Sequence, residues 1–445
     1  MHAPEEHPGA EPAHPTQSTR PGASDAASLL SDGRRTASPR RHAYRAIFAV
    51  PGSAAFFAAG WLGRLPRSTL SIGSVLLVAG VTGSYTLAAA VAGALVLGTA
   101  FVGPLWSRAM DRWGQRPVLA AGLVSSTLLA LAFVGAVLGG LPEGMWFPLA
   151  FLVGGTALDV GSATRARWSA LLPDEGRRHT AFSVESVADE SVFVIGPPVV
   201  TILAAAIDPA LGFAVGLVFG IVGQGALIAL RRTTPAVHPD ARPDRAPFLR
   251  RIPSGLMGSL PVFFGVGAVF GSLDLTAVAF SAEQGQPAAA GIVLALFALG
   301  SVISGLAFGA LRLRAPLVLR VGVSAVVYGL LVPVVAFMPS LPAIGAVLLV
   351  AGFATTPLLI SGMALVESRV HRSRLTEALA WPSTALSIGV TVGSALAGIV
   401  IDEVSARGGF GITAAGAVFV GVCGLITLVS HRLRSQPVTS LDQGD

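Results

Sequence analysis

The chain has 445 residues, of which 53% are hydrophobic and only 12% are charged, and its mean hydropathy is +0.71. Soluble domains carry about 25% charged residues, so this composition excludes an ordinary soluble protein. The apolar residues fall in runs of roughly 20 or more, the length that spans about 30 Å of hydrocarbon. The sequence therefore predicts a polytopic membrane protein.

The charged residues exclude several kinds of chemistry. All 30 basic residues are Arg, so neither a Walker phosphate loop nor a Schiff-base lysine is possible. The eight His lie in predicted tails or loops, and no nucleophile–His pair, metal cluster or nucleotide motif is recognisable. We expect a protein that is not an enzyme, with no cofactor and no metal. The net charge of +6 does not indicate a nucleic-acid partner.

The hydropathy pattern predicts twelve spans. They are 53–80, 86–107, 117–139, 145–169, 180–206, 209–230, 255–281, 288–311, 316–338, 341–366, 377–402 and 410–431. With the N-terminus inside, 27 of the 30 Arg lie in inner segments and only Arg407 lies in an outer loop. This bias predicts a plasma-membrane protein with both termini cytoplasmic.

The longest loop divides the chain into two sets of six spans. We predict five segments: a disordered tail 1–45, a bundle 46–230, a linker 231–252, a bundle 253–431 and a tail 432–445. Glycines recur at matching places, as in Gly196 of the fifth span and Gly393 of the eleventh. The predicted fold is therefore an all-α membrane protein of two pseudo-symmetric six-helix bundles, an architecture common among transporters.

A polar turn separates the second and third spans. It resembles the signature loop of the major facilitator superfamily, Gly-x-x-x-Asp-Arg-x-Gly-Arg-Arg. The matching residues are Asp111, Arg112, Gly114 and Arg116. Ser107 replaces the first Gly of that pattern, and Gln115 replaces one of its basic residues.

The resemblance covers residues 46–431 and is closest to bacterial drug- and metabolite-efflux members of that family. It implies that the loop holds the two halves together on the cytoplasmic side. Asp111 would then cap the start of the eleventh helix, a favourable place for a carboxylate. Arg112 and Arg116 would pair with acids near the fourth and fifth helices. The family also implies a monomer.

Polar residues within the first and sixth spans are candidates for the substrate cavity. An ionisable residue in a span costs about 2.5–3.5 kcal/mol on insertion scales, so it should face protein or a water-filled cavity. Arg64 and Arg67 flank Pro66, which should kink the first span. They suit an anionic substrate or a carboxylate partner; the alternatives are a static ion pair or snorkelling. Gln224 is the main uncharged candidate.

Three residues of the fourth and fifth spans are candidate partners of the cytoplasmic gate. Asp159 and Arg165 lie towards the inner end of the fourth span. Glu185 lies near the inner end of the fifth span. The alternative for Glu185 is a solvated acid at the start of a helix.

Three further acids are candidates for proton coupling. Asp189 and Glu190 lie deeper in the fifth span, and because they are adjacent we expect only one to face the cavity. Asp274, in the Gly-rich seventh span, has no Arg close in sequence. Gly196 and Pro197 resemble part of the fifth-helix antiporter motif of the family. For each of these residues a purely structural role is the alternative.

These observations lead to one functional hypothesis and two alternatives. We predict a secondary transporter that exports amphipathic small molecules in exchange for protons, with the lipid bilayer as its surroundings. The alternatives are proton-coupled uptake of an organic metabolite and a non-transporting receptor built on a transporter fold. Trp residues close to span ends are expected to lie at the membrane interfaces. They are Trp106, Trp113, Trp146 and Trp168.

Overall fold

The structure is a computed structural model that describes residues 45–235, 258–310, 315–369 and 375–435. Most of the predicted N-terminal tail, linker and C-terminal tail lie outside these ranges. The helices are α1 (Ser53–Arg64), α2 (Pro66–Thr82), α3 (Tyr85–Trp113), α4 (Gln115–Leu138), α5 (Trp146–Gly155), α6 (Val160–Leu171), α7 (Glu175–Ala206), α8 (Pro209–Ala229), α9 (Leu260–Glu283), α10 (Ala289–Ala310), α11 (Leu317–Leu331), α12 (Leu341–Ser368), α13 (Leu375–Glu403) and α14 (Ala406–Ser435).

Within the described residues, twelve helical segments are long and apolar enough to cross a membrane. They agree with the predicted spans, and the all-α fold is confirmed. Two spans are interrupted. The first divides at Leu65 into α1 and α2, where Pro66 begins a new helix. The fourth, predicted as one helix, divides into α5 and α6 because residues 156–159 leave the helical path.

The two halves meet along two helix pairs. The second and eleventh spans, α3 and α13, lie side by side, and so do the fifth and eighth, α7 and α10. Small residues allow this approach: Gly93 lies against Thr391, and Gly291 lies against the backbone at Pro197 and Pro198. Close contact through small residues is the usual way in which helices pack in a bilayer.

The two ends of the bundle differ. We call the end that carries the turn between α3 and α4 the basic end, because Arg108, Arg112 and Arg116 lie there. At the opposite end the start of α3 contacts the end of α13. The halves therefore touch at the opposite end, while a large cavity separates them towards the basic end.

A close backbone contact within the first half joins α1 to α8. A Cβ atom built at Gly223 would overlap the backbone of Gly63, whereas one built at Gly225 meets nothing within 4 Å. This contact places the two residues that follow, Arg64 and Gln224, on the same wall of the cavity.

We predict that Gly223→Ala destabilises the protein by about 1–3 kcal/mol, because the added methyl group forces α1 and α8 apart. The matched control is Gly225→Ala, which should be neutral or slightly stabilising because Ala is the better helix former. The midpoint of thermal unfolding in detergent measures both. Equal shifts for the two variants would contradict the described contact.

Candidate functional site

A cavity of about 2550 Å³ lies between the two halves and reaches the basic end. Most of its lining is apolar. Its lining includes nine polar side chains for which the sequence predicts a function: Arg64, Arg67, Asp111, Arg112, Asp159, Asp189, Glu190, Gln224 and Asp274. Predicted substrate and proton-coupling residues are thus brought to one chamber by several different spans.

A buried cluster of charged and polar side chains forms around Glu185. Arg64 of α1 pairs with this carboxylate and also contacts the Thr164 hydroxyl. Thr164 donates to Glu185 Oε2 at 2.8 Å, and the Trp168 indole donates to Oε1 at 2.6 Å. Glu185 is completely buried. The solvated alternative for Glu185 is therefore wrong, because this acid is the counter-ion of Arg64 and joins α1, α6 and α7.

Asp189, one helical turn after Glu185, extends this cluster. It pairs with Arg165 of α6, and its Oδ1 lies 3.4 Å from Arg64 Nε. The guanidinium of Arg64 thus faces two carboxylates of α7. In this structure Arg64 therefore forms the ion pair that the sequence analysis gave as one alternative to a substrate site. Its Nη1 atom is buried and has no hydrogen-bond partner among the described residues.

Glu190 and Arg67 face the cavity beside this cluster. Both Asp189 and Glu190 line the chamber, so the expectation that only one of them would do so is wrong. Arg67 is exposed to the chamber, and its guanidinium lies 5.7 Å from the ring centre of Phe193. No ion pair of Glu190 or Arg67 is found within the described ranges.

Asp159 has a local role that the sequence analysis did not assign. Its carboxylate caps α6 by accepting from the backbone N–H groups of Gly161 and Ser162 at 3.1 and 3.3 Å. This cap stabilises the restart of the fourth span after its interruption. Among the described side chains Asp159 forms no ion pair with Arg112 or Arg116, so its part in the gate stays a prediction.

The signature loop lies at the mouth of the cavity. Gly114 has φ of +86°, a conformation that favours glycine, and it separates α3 from α4. Asp111 is exposed. Arg116 donates to the Ile228 carbonyl at 3.0 Å, and Arg112 lies over the Trp113 ring. The predicted pairs of these Arg with acids are not found in the part of the chain that the structure describes.

Gln115 explains one departure from the family pattern. Its side chain is buried, and its amide donates to the Ala163 carbonyl at 3.0 Å. Its Oε1 atom accepts from Arg167 Nε, also at 3.0 Å. An arginine at position 115 has no acceptor atom, so it could not receive this hydrogen bond.

The Gly196–Pro197 motif lies where α7 meets other helices. A Cβ atom at Gly196 would overlap Ser68 of α2, so only glycine fits there. Pro197 lines the cavity, and its carbonyl accepts from the Thr201 hydroxyl at 2.9 Å. The motif thus provides close contact with α2 and, through Pro197, with α10.

Asp274 differs from every other acid of the chamber. It lies in the middle of α9, where most neighbouring side chains are apolar and buried. No hydrogen bond or ion pair of its carboxyl group is found among the described residues. Its side chain faces both the main cavity and a small pocket that Ser71 and Ser394 also line.

Gln224 also has an unused polar atom. It is 6% exposed, lines the cavity, and its Oε1 atom has no hydrogen-bond partner among the described residues. Its place beside Arg64 follows from the close approach of Gly63 and Gly223.

Sequence reasoning missed two groups of residues. Trp168 and Trp146 are buried, at 0% and 3% exposure, so their assignment to the membrane interface is wrong. Trp168 and Thr164 are four residues apart, and this spacing places both on one face of a helix. The spacing was therefore a signal in the sequence that the two side chains lie together. Asp402 of α13 contacts α3 across the two halves, and no local signal indicates that contact.

We predict that Glu185→Ala destabilises the protein by about 3–5 kcal/mol, because it leaves the Arg64 guanidinium buried with one counter-ion fewer. Arg64→Met combined with Glu185→Leu should cost less than the sum of the two single changes. A double-mutant cycle on thermal unfolding measures this coupling. Additive losses would show that the two side chains do not depend on each other.

Comparisons with known proteins agree with this fold. Residues 261–443 match the family model described as Major Facilitator Superfamily. No curated protein sequence matches the chain. A structure of a mutant of the nucleoside transporter NupG superposes with a TM-score of 0.66 at 14% identity, covering 85% of this chain and 99% of that one.

Two further solved structures are similar. The POT family transporter PepTSo gives a TM-score of 0.65 at 12% identity, covering 87% of this chain and 99% of that one. A POT family transporter in complex with 5-aminolevulinic acid gives 0.61 at 11% identity, covering 86% and 97%. With the twelve candidate membrane-crossing segments, the match of residues 261–443 and these similar structures show that the chain has the fold of major facilitator superfamily transporters.

Proposed function

We propose that this transporter exports amphipathic small molecules across the plasma membrane in exchange for protons. The observation that carries the proposal is Asp274, a carboxyl group without a partner among the described residues, facing a large, mainly apolar cavity. A protein that only needed a stable helix would gain by replacing it with an apolar residue.

Charge compensation supports a proton-carrying role for Asp274. Glu185 and Asp189 face arginine side chains, so their negative charges are compensated. The Asp274 charge is not, and an uncompensated charge is costly in apolar surroundings. Binding a proton removes that cost, and losing it to water when the cavity opens restores the charged form. Glu190, which also lines the cavity, is the second candidate carrier.

The lining of the cavity supports an amphipathic substrate. The wall contributed by the second half includes Phe270, Phe297 and Leu294. The facing wall carries the exposed Arg67 side chain and Gln224, whose Oε1 atom has no described hydrogen-bond partner. A molecule with an apolar body and a few polar groups satisfies both walls, whereas a sugar or an inorganic ion does not.

Alternating access supplies the mechanism. The halves touch at the end opposite the basic end, and by the positive-inside rule the open, basic end is cytoplasmic. We infer that the monomer alternates between this state and one open to the other side. The signature loop, including Asp111, Arg112 and Arg116, would close the basic end in that second state, with Asp159, Arg165 and Glu185 as the surrounding charged residues.

The second candidate function is proton-coupled uptake of an organic metabolite. Two observations favour it. The fifth-helix motif is incomplete, because Val192 and Val200 stand where antiporters of the family have Gly. The fold is also similar to proteins described as nucleoside and peptide transporters. A non-transporting receptor, the third candidate, would keep its phenotype when Asp274 is neutralised.

We predict that substrate export releases protons from the lumen of everted membrane vesicles, and that Asp274→Asn abolishes this release. The lumen is acidified and reported by a quenched dye, and a panel of amphipathic drugs and secondary metabolites is added. Dequenching that requires the protein identifies an exported substrate class.

The matched control is Glu403→Gln, which removes an exposed acid outside the cavity and should leave dequenching unchanged. Dequenching that survives Asp274→Asn would show that another carboxyl group, such as Glu190, carries the proton. Uptake of a compound with the proton gradient in intact cells, without dequenching in everted vesicles, would favour the symport alternative.

A further inference from the structure

At the closed end of the molecule, one carboxylate joins the two halves by hydrogen bonds. Asp402, next to the last residue of α13, accepts hydrogen bonds from the backbone N–H groups of Tyr85 and Thr86 at 2.9 and 2.8 Å. It also accepts from the Ser84 hydroxyl at 2.9 Å. Because α3 belongs to the first half and α13 to the second, all three hydrogen bonds cross between the halves.

The helix N-terminus explains why a carboxylate lies there. The first N–H groups of a helix have no partner within the helix, and the helix dipole favours negative charge beside them. Ser84 caps α3 within the first half by accepting from the Leu87 N–H at 3.2 Å. Asp402 satisfies the N–H groups of Tyr85 and Thr86 from the other half.

Close packing of α3 and α13 makes this contact possible. A Cβ atom at Gly398 would lie 2.9 Å from both Thr86 Cα and the Tyr85 carbonyl oxygen, so the helices touch one turn below Asp402. Further along, the Thr391 hydroxyl donates to the Gly93 carbonyl at 3.4 Å. The two helices run antiparallel, so each ends where the other begins.

At the basic end the same helix pair again brings an aspartate near the end of one helix and the start of the other helix. Asp111 is close to the end of α3, as Asp402 is close to the end of α13. There α13 begins, at Leu375. Asp111 is exposed, lines the cavity mouth and forms no hydrogen bond or ion pair with any described residue. One of the two aspartates is therefore engaged in this state and the other is free of described partners.

We propose that Asp402 is a positioning residue of the transport cycle: it holds the end opposite the basic end closed by capping α3 from the other half. As the family resemblance implies, Asp111 would cap α13 in the other state, so the two caps would form in alternate states. The proposal rests on the alternating access described above, but not on the direction of transport or on protons. Each aspartate biases the ratio of the two states towards the one in which it is engaged.

The neighbouring acids provide matched controls. Glu403, the next residue, is exposed and makes no described hydrogen bond or ion pair. Glu283 of α9 accepts from the Ala406 N–H at 2.9 Å, so it caps α14 within the second half. Neither residue forms a described hydrogen bond or ion pair across the halves, so neither variant removes a bond that joins them.

The test uses a cysteine reporter in the full-length protein in membranes. The native thiol is removed by Cys423→Ser, and Ser394→Cys places the reporter about 12 Å along α13 from Asp402. Ser394 is 6% exposed and faces the contact between the halves. A membrane-impermeant maleimide added on the side of the opposite end labels the reporter only when that end opens.

Asp402→Ala should raise the labelling rate about two- to thirty-fold, the range that corresponds to losing a helix cap. Asp402→Asn should give an intermediate rate, because its amide has one acceptor oxygen where the carboxylate uses two. Asp111→Ala should lower the rate, because it removes the cap of the other state. Glu403→Ala and Glu283→Ala should leave it unchanged.

Opposite changes of the labelling rate in Asp402→Ala and Asp111→Ala support the proposal, because a general loss of folding would change both rates in the same direction. Labelling of Asp402→Ala that equals labelling of Glu403→Ala overturns it, and so does an increase in both Asp402→Ala and Asp111→Ala. The readout needs no substrate and no proton gradient. A failed dequenching experiment with a positive labelling result would therefore reject proton-coupled export and retain the reciprocal caps.

Discussion

Compensation of charge inside the hydrocarbon layer is the constraint on which this structure depends. A buried ion costs several kcal/mol unless an opposite charge and hydrogen bonds surround it. In the first half, Arg64 meets this requirement by facing Glu185 and Asp189, and Arg165 shares the second acid. These ion pairs join the first, fourth and fifth spans. The same network forms part of one wall of the cavity, which also includes Asp159, the cap of α6.

The second half differs in charge. Its wall of the cavity is mostly apolar, and Asp274 is the acid there for which no compensating residue is described. This asymmetry divides the work between the halves. The first half supplies a wall of paired charges, and in the proposed cycle the second half supplies the acid whose charge changes. Asp402 and Asp111 lie at the two ends of one antiparallel helix pair, which in the proposed cycle links the opening of one end to the closing of the other.

The fold could largely be predicted from the sequence because membrane spans are specified locally. Length and hydropathy define each span, and the family signature loop defines the α3–α4 turn. The interruption of the first span at Pro66 was also predicted, because proline cannot continue the hydrogen-bond ladder. The interruption at residues 156–159 was not, because nothing there is as disruptive as proline and the sequence indicates a gate residue at Asp159 rather than a helix cap.

The site could be predicted only as a set of residues. All the candidates for the substrate cavity and for proton coupling line the chamber, because ionisable residues in spans rarely have another place. Their pairings depend on which helices touch, and that is a tertiary property. The sequence therefore left a solvated position open for Glu185, although this acid is completely buried. The contact of Asp402 with α3 joins residues more than 300 positions apart, beyond the reach of any local pattern.

The most direct test of the account is to ask which acid in the membrane is held protonated. Carbodiimides modify protonated carboxyl groups in apolar surroundings, and peptide mass spectrometry identifies the modified residue. The account predicts modification of Asp274 at neutral pH, with Glu185 and Asp189 unmodified because each forms an ion pair with an arginine side chain. Modification of Glu185 or Asp189 while Asp274 stays unmodified would contradict it.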